Sequence, residues 1–328
     1  MQFATENAKK SVELEIANPK SQIALKVLFA GAGAFGLPSL RAILETHDVV
    51  QVISQPDRPA GRGRTLTPTP IARFALERGL PLIRTGNINA ETLPRADVMV
   101  VIAFGQKIAS HLVDHPRLGS INLHSSLLPK YRGAAPINAA IVNGDSISGN
   151  SVIRLASKMD AGAILGQVEL PVGETETAGE LHDRLANAGA PLTLRVIDEL
   201  DRGIAVEREQ DHSQSTIAPK LSRESTRIDW TRDARSIASQ IRGLYPWPGC
   251  RAQISDEESS NRLTLVRVKA VEGIAAASGV IDSAGRVGTS AGLIEVLEVQ
   301  PEGKRPMPLD AYRNGHPWHA GMRLVSIV

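Results

Sequence analysis

Asn122 and His124 stand two positions apart in the stretch Ser120-Ile121-Asn122-Leu123-His124. In a β-strand, residues i and i+2 point to one face, so carboxamide and imidazole project together while Ile121 and Leu123 pack behind them. Strands of a parallel sheet are normally apolar on both faces, and two polar groups at the C-terminal end of one are costly unless they are used. A bland use exists: His124 bonding a backbone carbonyl and Asn122 holding a turn. Downstream, Lys158-Met159-Asp160-Ala161-Gly162 follows another apolar run, which is expected to bring Asp160 to the same sheet edge as His124. A carboxylate beside an imidazole favours the charged ring and fixes its orientation, while a carboxamide can donate to an oxygen gaining negative charge. Acyl-type transfer to an amine needs these parts. The amine attacks directly, so no Ser or Cys nucleophile is required, and the protein supplies positioning, charge stabilisation and proton transfer.

A scaffold for such a site is legible around it. Short apolar strands are predicted at 27–30, 49–54, 98–102, 120–124 and 151–156, separated by helical or looped stretches such as 37–45 and 71–78. Such continuous apolar runs suit a parallel sheet covered on both faces, whose carboxyl edge is the usual ligand site. A helix is predicted over 177–200 from Leu181, Leu185, Leu192, Val196 and Leu200, with Gly203 ending it. The sequence turns polar between 207 and 227, which marks a boundary between two domains. Beyond it, short strands at 263–268, 279–282 and 292–299 suggest a small β-barrel of the OB type. The expected architecture is thus α/β followed by β.

The loop Gly31-Ala32-Gly33-Ala34-Phe35-Gly36 satisfies G-x-G-x-x-G between a strand and a helix, which raises a dinucleotide site and an NAD(P)-dependent oxidoreductase as a rival. Strand two, however, ends in Ile53-Ser54-Gln55 rather than in an acid for the ribose. A tight turn packed on a sheet needs glycine with or without a ligand, and that reading is preferred.

The stretch from Asn122 to Pro136 (through Leu127-Leu128-Pro129-Lys130-Tyr131-Arg132-Gly133-Ala134-Ala135) together with Asp160 resembles the core of the folate-dependent formyltransferases, in particular the branch that acts on methionyl-tRNA. Supporting matches are Phe29-Ala30-Gly31, Gln55-Pro56-Asp57-Arg58-Pro59-Ala60-Gly61-Arg62-Gly63, Arg227-Ile228-Asp229-Trp230 and Pro246-Trp247-Pro248. The resemblance covers nearly all the chain after about residue 25 and departs from the family pattern at Gly33-Ala34, in the first loop. It implies a Rossmann-like formyltransferase domain with a mostly parallel sheet over 25–207, a linker over 208–227 and an OB-like tRNA-binding domain over 228–328, after a disordered extension over 1–24. It also implies Asn122, His124 and Asp160 as the catalytic trio. 10-Formyltetrahydrofolate would be the co-substrate, in a pocket shaped by Ser125, Ser126, Leu127, Leu128 and Pro129, with no metal and no NAD. Initiator methionyl-tRNA would be the partner, met by Arg58, Arg62 and Arg64 on a loop that in the family enters the acceptor end, and by Lys220 and Arg223 on the linker. A sugar-nucleotide amine is the alternative acceptor.

Composition leaves room for this reading. With 328 residues, two domains are expected; a net charge of +2 demands no nucleic acid, so RNA contact must come from local clusters. The loop 55–70 sets three arginines against Asp57, and the C-terminal part adds Arg242, Arg251, Lys304 and Arg305 as candidate backbone contacts. Trp230, Trp247 and Trp318 read as core or domain-interface anchors. One cysteine, Cys250, excludes an internal disulfide, and no apolar run approaches the ~20 residues of a membrane helix. A cytoplasmic monomer off the membrane is expected.

Overall fold

A computed structural model describes residues 24–61, 63–255, 260–274 and 277–327. The expected N-terminal extension up to residue 23, and Arg62, lie outside the described residues.

The first part of the chain runs β1 (Lys26–Gly31), α1 (Leu37–Thr46), β2 (Asp48–Ser54), the hairpin β3 (Arg58–Ala60) and β4 (Thr65–Thr67), α2 (Pro70–Glu77), β5 (Leu82–Arg84), β6 (Val98–Ile102), α3 (Ser110–Val113), β7 (Ser120–His124), β8 (Arg132–Gly133), α4 (Pro136–Val142), β9 (Ile147–Arg154), β10 (Ile164–Pro171) and α5 (Ala178–Asp201). Seven strands form one sheet in the order β10-β9-β7-β6-β1-β2-β5. The five from β5 to β7 are parallel; β9 runs antiparallel to β7, and β10 antiparallel to β9.

Alternation along β1 explains why its sequence is apolar without a break. Val27 and Phe29 enter the core formed with α1, α2 and α5, while Leu28 and Ala30 enter a second core with Ile88, Phe104 and Leu112. Helix α5 closes the helical face with Leu181, Leu185, Leu192, Val196 and Ile197. Its N-terminus carries a capping box between Thr177 and Glu180, and past its end Gly203 takes φ +66°, the left-handed turn that glycine adopts at no steric cost. The glycine loop after β1 is built for packing: a Cβ on Gly31 would lie 2.9 Å from the Phe29 ring and 3.0 Å from the Ile102 carbonyl oxygen.

Beyond β11 (Ile217–Ala218) and α6 (Ala234–Gly243), the chain forms β12 (Cys250–Ser255), β13 (Ser260–Val271), β14 (Val287–Gly288), β15 (Leu293–Pro301), β16 (Met307–Pro308), α7 (Leu309–Arg313) and β17 (Arg323–Ile327). These strands pair antiparallel in the order β14-β15-β13-β12-β17, with β16 on β15. Val280 bridges Arg323 and Ile281 bridges Val287, so this segment draws the two sheet edges together into a nearly closed barrel. Trp230 and Trp318 lie in its core, as expected. Trp247 does not: it is exposed, on the rim of a groove between the two parts of the molecule.

Polar groups clasp the barrel to the sheet domain. Arg267 binds Glu180 (2.6 Å) and the Thr175 carbonyl (2.9 Å), and Asn138 Nδ2 donates to the Gly243 carbonyl at 2.8 Å. Arg242, expected on a surface facing RNA, is 8% exposed and donates to the Glu176 carbonyl at 2.9 Å, so it belongs to this clasp. Burial pushes its guanidinium down from the ordinary value.

The Arg267 guanidinium holds the Glu180 carboxyl down to about 2, against an ordinary value of 4.5. A folded-state value below the unfolded one contributes stability above the unfolded value and loses it as pH falls through the folded one. Glu180→Gln is therefore expected to lower Tm at pH 7, by the equivalent of under ~1 kcal/mol for so exposed a pair. That gap should narrow as pH falls from about 4.5 toward 2. Thermal melts of both proteins from pH 7 to pH 3 check this, and a gap independent of pH would remove the charge from the clasp.

Candidate active site

Ile121 and Leu123 join the helix-side core, which leaves Asn122 and His124 on the opposite face at the carboxyl end of β7. His124 is 7% exposed. Its Nε2 lies 2.9 Å from the Tyr131 carbonyl oxygen, an acceptor only, so Nε2 carries the donated proton. This is the bond a structural histidine would make, and it occupies one nitrogen. The other, Nδ1, faces Asp160 Oδ2 at 3.7 Å, within ion-pair range and longer than a hydrogen bond. The same oxygen accepts from the Gly133 amide at 2.9 Å. Asn122 is half-buried, and its carboxamide makes no hydrogen bond among the described residues.

Asp160 does not reach His124 by the expected route. Because β9 runs antiparallel to β7, it ends with Arg154 opposite Ile121, at the level where β7 begins. The loop 155–163 must double back to carry Asp160 to His124. Asp160 takes φ +52° and Tyr131 φ +61°, left-handed conformations that non-glycine residues adopt only when their surroundings hold them. Tyr131 is held through its amide, which donates to Thr216 Oγ1 at 2.8 Å. Gly133 takes φ +117°, where a Cβ would stand 2.7 Å from the Ala218 carbonyl oxygen, so this close pairing of β8 with β11 requires glycine.

The turn after His124 is pinned from behind. Ser126, 1% exposed, donates to the Lys130 carbonyl at 2.6 Å, and Leu128, 3% exposed, packs on Ile153 and Ile164. Ser151 Oγ donates to the Ser126 carbonyl at 2.7 Å and accepts from the Leu128 amide at 3.0 Å, while Gln167 Nε2 donates to the Leu128 carbonyl at 3.0 Å. The side chains of Ser126 and Leu128 therefore face inward and fix the turn's shape. Ser125, Leu127 and Pro129 remain partly exposed.

The arginine-rich loop is the hairpin β3–β4 rather than an irregular loop. It follows β2, three strands from β7 in a parallel run, so both lie at the carboxyl edge, with about 15 Å between the two strands at ~4.8 Å per step. Asp57 is occupied by Arg84, at 2.8 and 2.9 Å. Arg58 and Arg64 are exposed and have no carboxylate partner among the described residues; Arg58 donates to Gln55. Lys220 and Arg223 are exposed on the linker. That linker is docked: β11 pairs with β8, and Arg208 pairs with Ile164.

Sequence reasoning missed Tyr131 and Gly133 as backbone partners of the trio, although both lie inside the recognised stretch. It also missed Gln210, which sits in a polar run with no periodic signal.

The formyl transferase family profile matches residues 26–197, and the profile of the formyl transferase C-terminal domain matches residues 220–317. The chain is 38% identical over 305 residues to the methionyl-tRNA formyltransferase of Acidobacterium capsulatum, covering 89% of this chain and 97% of that protein. It is 38% identical over 308 residues to that of Moorella thermoacetica, covering 90% and 98%. Among solved structures, the N-formyltransferase from Helicobacter canadensis, in complex with folinic acid and dTDP-3-aminofucose, shares the fold at TM-score 0.63 and 18% identity, over 84% of this chain and 99% of that one.

Proposed function

Because the chain belongs to the formyltransferase family, matched over both of its parts, we propose that it transfers the formyl group of 10-formyltetrahydrofolate to the α-amine of methionyl-tRNA. The acceptor follows from full-length relatives of that activity. The observation that carries the chemistry is the placing of Asn122 and His124 on one face at the carboxyl end of β7, with Asp160, brought in on the loop 155–163, facing His124 Nδ1 at 3.7 Å.

In this reading the amine attacks the formyl carbon and the carbonyl electron pair moves onto oxygen. Asn122 donates an N–H to that oxygen. His124 has Nε2 committed to Tyr131, so it works through its Nδ1 edge, where Asp160 orients the ring and balances its charge. When the intermediate collapses, the bond from carbon to folate nitrogen breaks, the folate nitrogen gains a proton and the amine loses one. The His124–Asp160 edge is the protein's place for that proton to pass. The turn 125–129, fixed by Ser151 and Gln167, borders the folate. The exposed arginines of the β3–β4 hairpin give RNA a basic surface on the edge that holds the trio, and Lys220 and Arg223 add exposed cations on the linker.

The direct test is formylation of charged initiator tRNA with 10-formyltetrahydrofolate as donor. Absence of formylmethionyl-tRNA with purified enzyme would sink the acceptor assignment. Arg62→Ala is expected to lower kcat/KM for initiator tRNA by ~10-fold, the worth of one lost base contact, with a smaller loss for poor elongator substrates. Equal losses for both tRNA classes, with a salt slope reduced by about one, would make Arg62 a phosphate contact instead.

A further inference from the structure

Asp160 reaches His124 on a loop, in a left-handed backbone conformation, so something must hold it there. The strongest hold comes from outside the sheet domain's own elements. Gln210, on the segment that joins the two domains, is 6% exposed. Its Nε2 donates to the Asp160 carbonyl at 2.8 Å and to the Gly162 carbonyl at 2.7 Å, spanning the residue that links them. Its Oε1 accepts from Arg132 Nη2 at 2.6 Å and Nε at 3.2 Å. Arg132 is itself 3% exposed, and its Nη2 also donates to His212 Nδ1 at 2.8 Å.

The carboxamide can sit only one way round. A guanidinium only donates and a peptide carbonyl only accepts, so oxygen must face Arg132 and nitrogen must face the loop. Both N–H donors are used, one on each carbonyl. Arg132 belongs to β8, which also supplies the Gly133 amide to Asp160 Oδ2. The Asp160 backbone and carboxylate are thus both tied to one short strand, the backbone by way of the linker. No other described contact ties the Asp160 carbonyl.

We propose that Gln210 is a positioning residue for formyl transfer: its carboxamide, aimed by Arg132, clamps the Asp160 and Gly162 carbonyls and so holds the Asp160 carboxylate against His124. This rests on the catalytic reading of Asp160 above. Gln210 touches no reacting atom and acts through Asp160 alone. Because it lies ten residues before Lys220, on the segment that carries the linker's exposed cations, it also wires that segment to the catalytic loop.

A double-mutant cycle with Asp160→Asn tests the proposal on the full-length enzyme, with 10-formyltetrahydrofolate and charged initiator tRNA as substrates. Gln210→Glu keeps an oxygen for Arg132 and replaces both donors to the loop with an acceptor; Gln210→Ala removes both functions. Each is expected to lower kcat by 10-fold or more with KM for folate within about 3-fold. In the Asp160→Asn background the further loss should be under 2-fold, because a residue acting through Asp160 has nothing left to position. Wild-type kcat in either Gln210 variant, losses that add fully to Asp160→Asn, or failure of both variants to fold would each overturn the proposal, the last by making Gln210 a stability residue. If Asp160→Asn alone has wild-type kcat, the catalytic reading of Asp160 fails, whatever Gln210 does.

Discussion

His124→Ala should lower kcat for formyl transfer by about 10³-fold while the Kd for folate moves by less than ~3-fold. The reduction corresponds to ~4 kcal/mol of transition-state stabilisation, the size expected when a preorganised polar group at the reacting centre is removed. The ring's contribution is concentrated on one edge, since Nε2 is spent on the Tyr131 carbonyl and Nδ1 faces Asp160. Folding should survive, because the apolar residues that seat β7, Ile121 and Leu123, are untouched. Tm should still fall, since the Tyr131 carbonyl loses its buried donor, a loss worth about 1 to 3 kcal/mol. Steady-state kinetics with direct measurement of folate binding separate the two effects. A kcat within 10-fold of wild type would take His124 out of the mechanism, and a matching loss of folate affinity would make it a binding residue.

The i, i+2 spacing of Asn122 and His124 was legible because strand geometry leaves no freedom: side chains alternate whatever the tertiary context. The same rule explains β1, whose unbroken apolar run foretold a sheet covered on both sides. The arrival of Asp160 beside His124 was legible from its motif, but the route by which it arrives was not. Strand direction is set by long-range pairing, which no local pattern records, and β9 turned out antiparallel. Strand β10 was missed because Gly166, Gln167 and Glu169 dilute its apolar pattern, as befits an edge strand, and helix α6 because Arg235, Ser236, Ser239, Gln240 and Arg242 read as polar. Arg242 shows the general limit. Composition assigns a cation to the surface, whereas only packing reveals that its hydrogen bonds are to carbonyls of the other domain. Gln210 was illegible for a similar reason: its partners lie 48, 50 and 78 residues away.

Gly162→Ala should lower kcat by about 10²-fold, although Gly162 carries no functional group. A Cβ built there stands 1.9 Å from the Arg154 carbonyl oxygen and 2.9 Å from its carbon, so a backbone segment must move. Arg154 cannot easily be the one. It closes β9, pairs with Ile121 of β7, and donates its amide to the Ala163 carbonyl at 2.9 Å. The loop 160–162 must yield, against the bonds that Gln210 makes to both its ends. A shift near 1 Å at Asp160 is enough to cost about 10²-fold in rate, because the geometry of the reacting groups is what the site supplies. Stability should fall as well, by at least the 1 to 3 kcal/mol typical of overpacking. Gly86→Ala is the control: nothing lies within 4 Å of its Cβ position, and its φ is not in the left-handed region. It should leave kcat unchanged and Tm level or slightly raised, since alanine restricts the unfolded chain. Native kcat in Gly162→Ala would mean that the loop 160–162 tolerates displacement, and the close packing of that loop on Arg154 of β9 would then have no part in the rate.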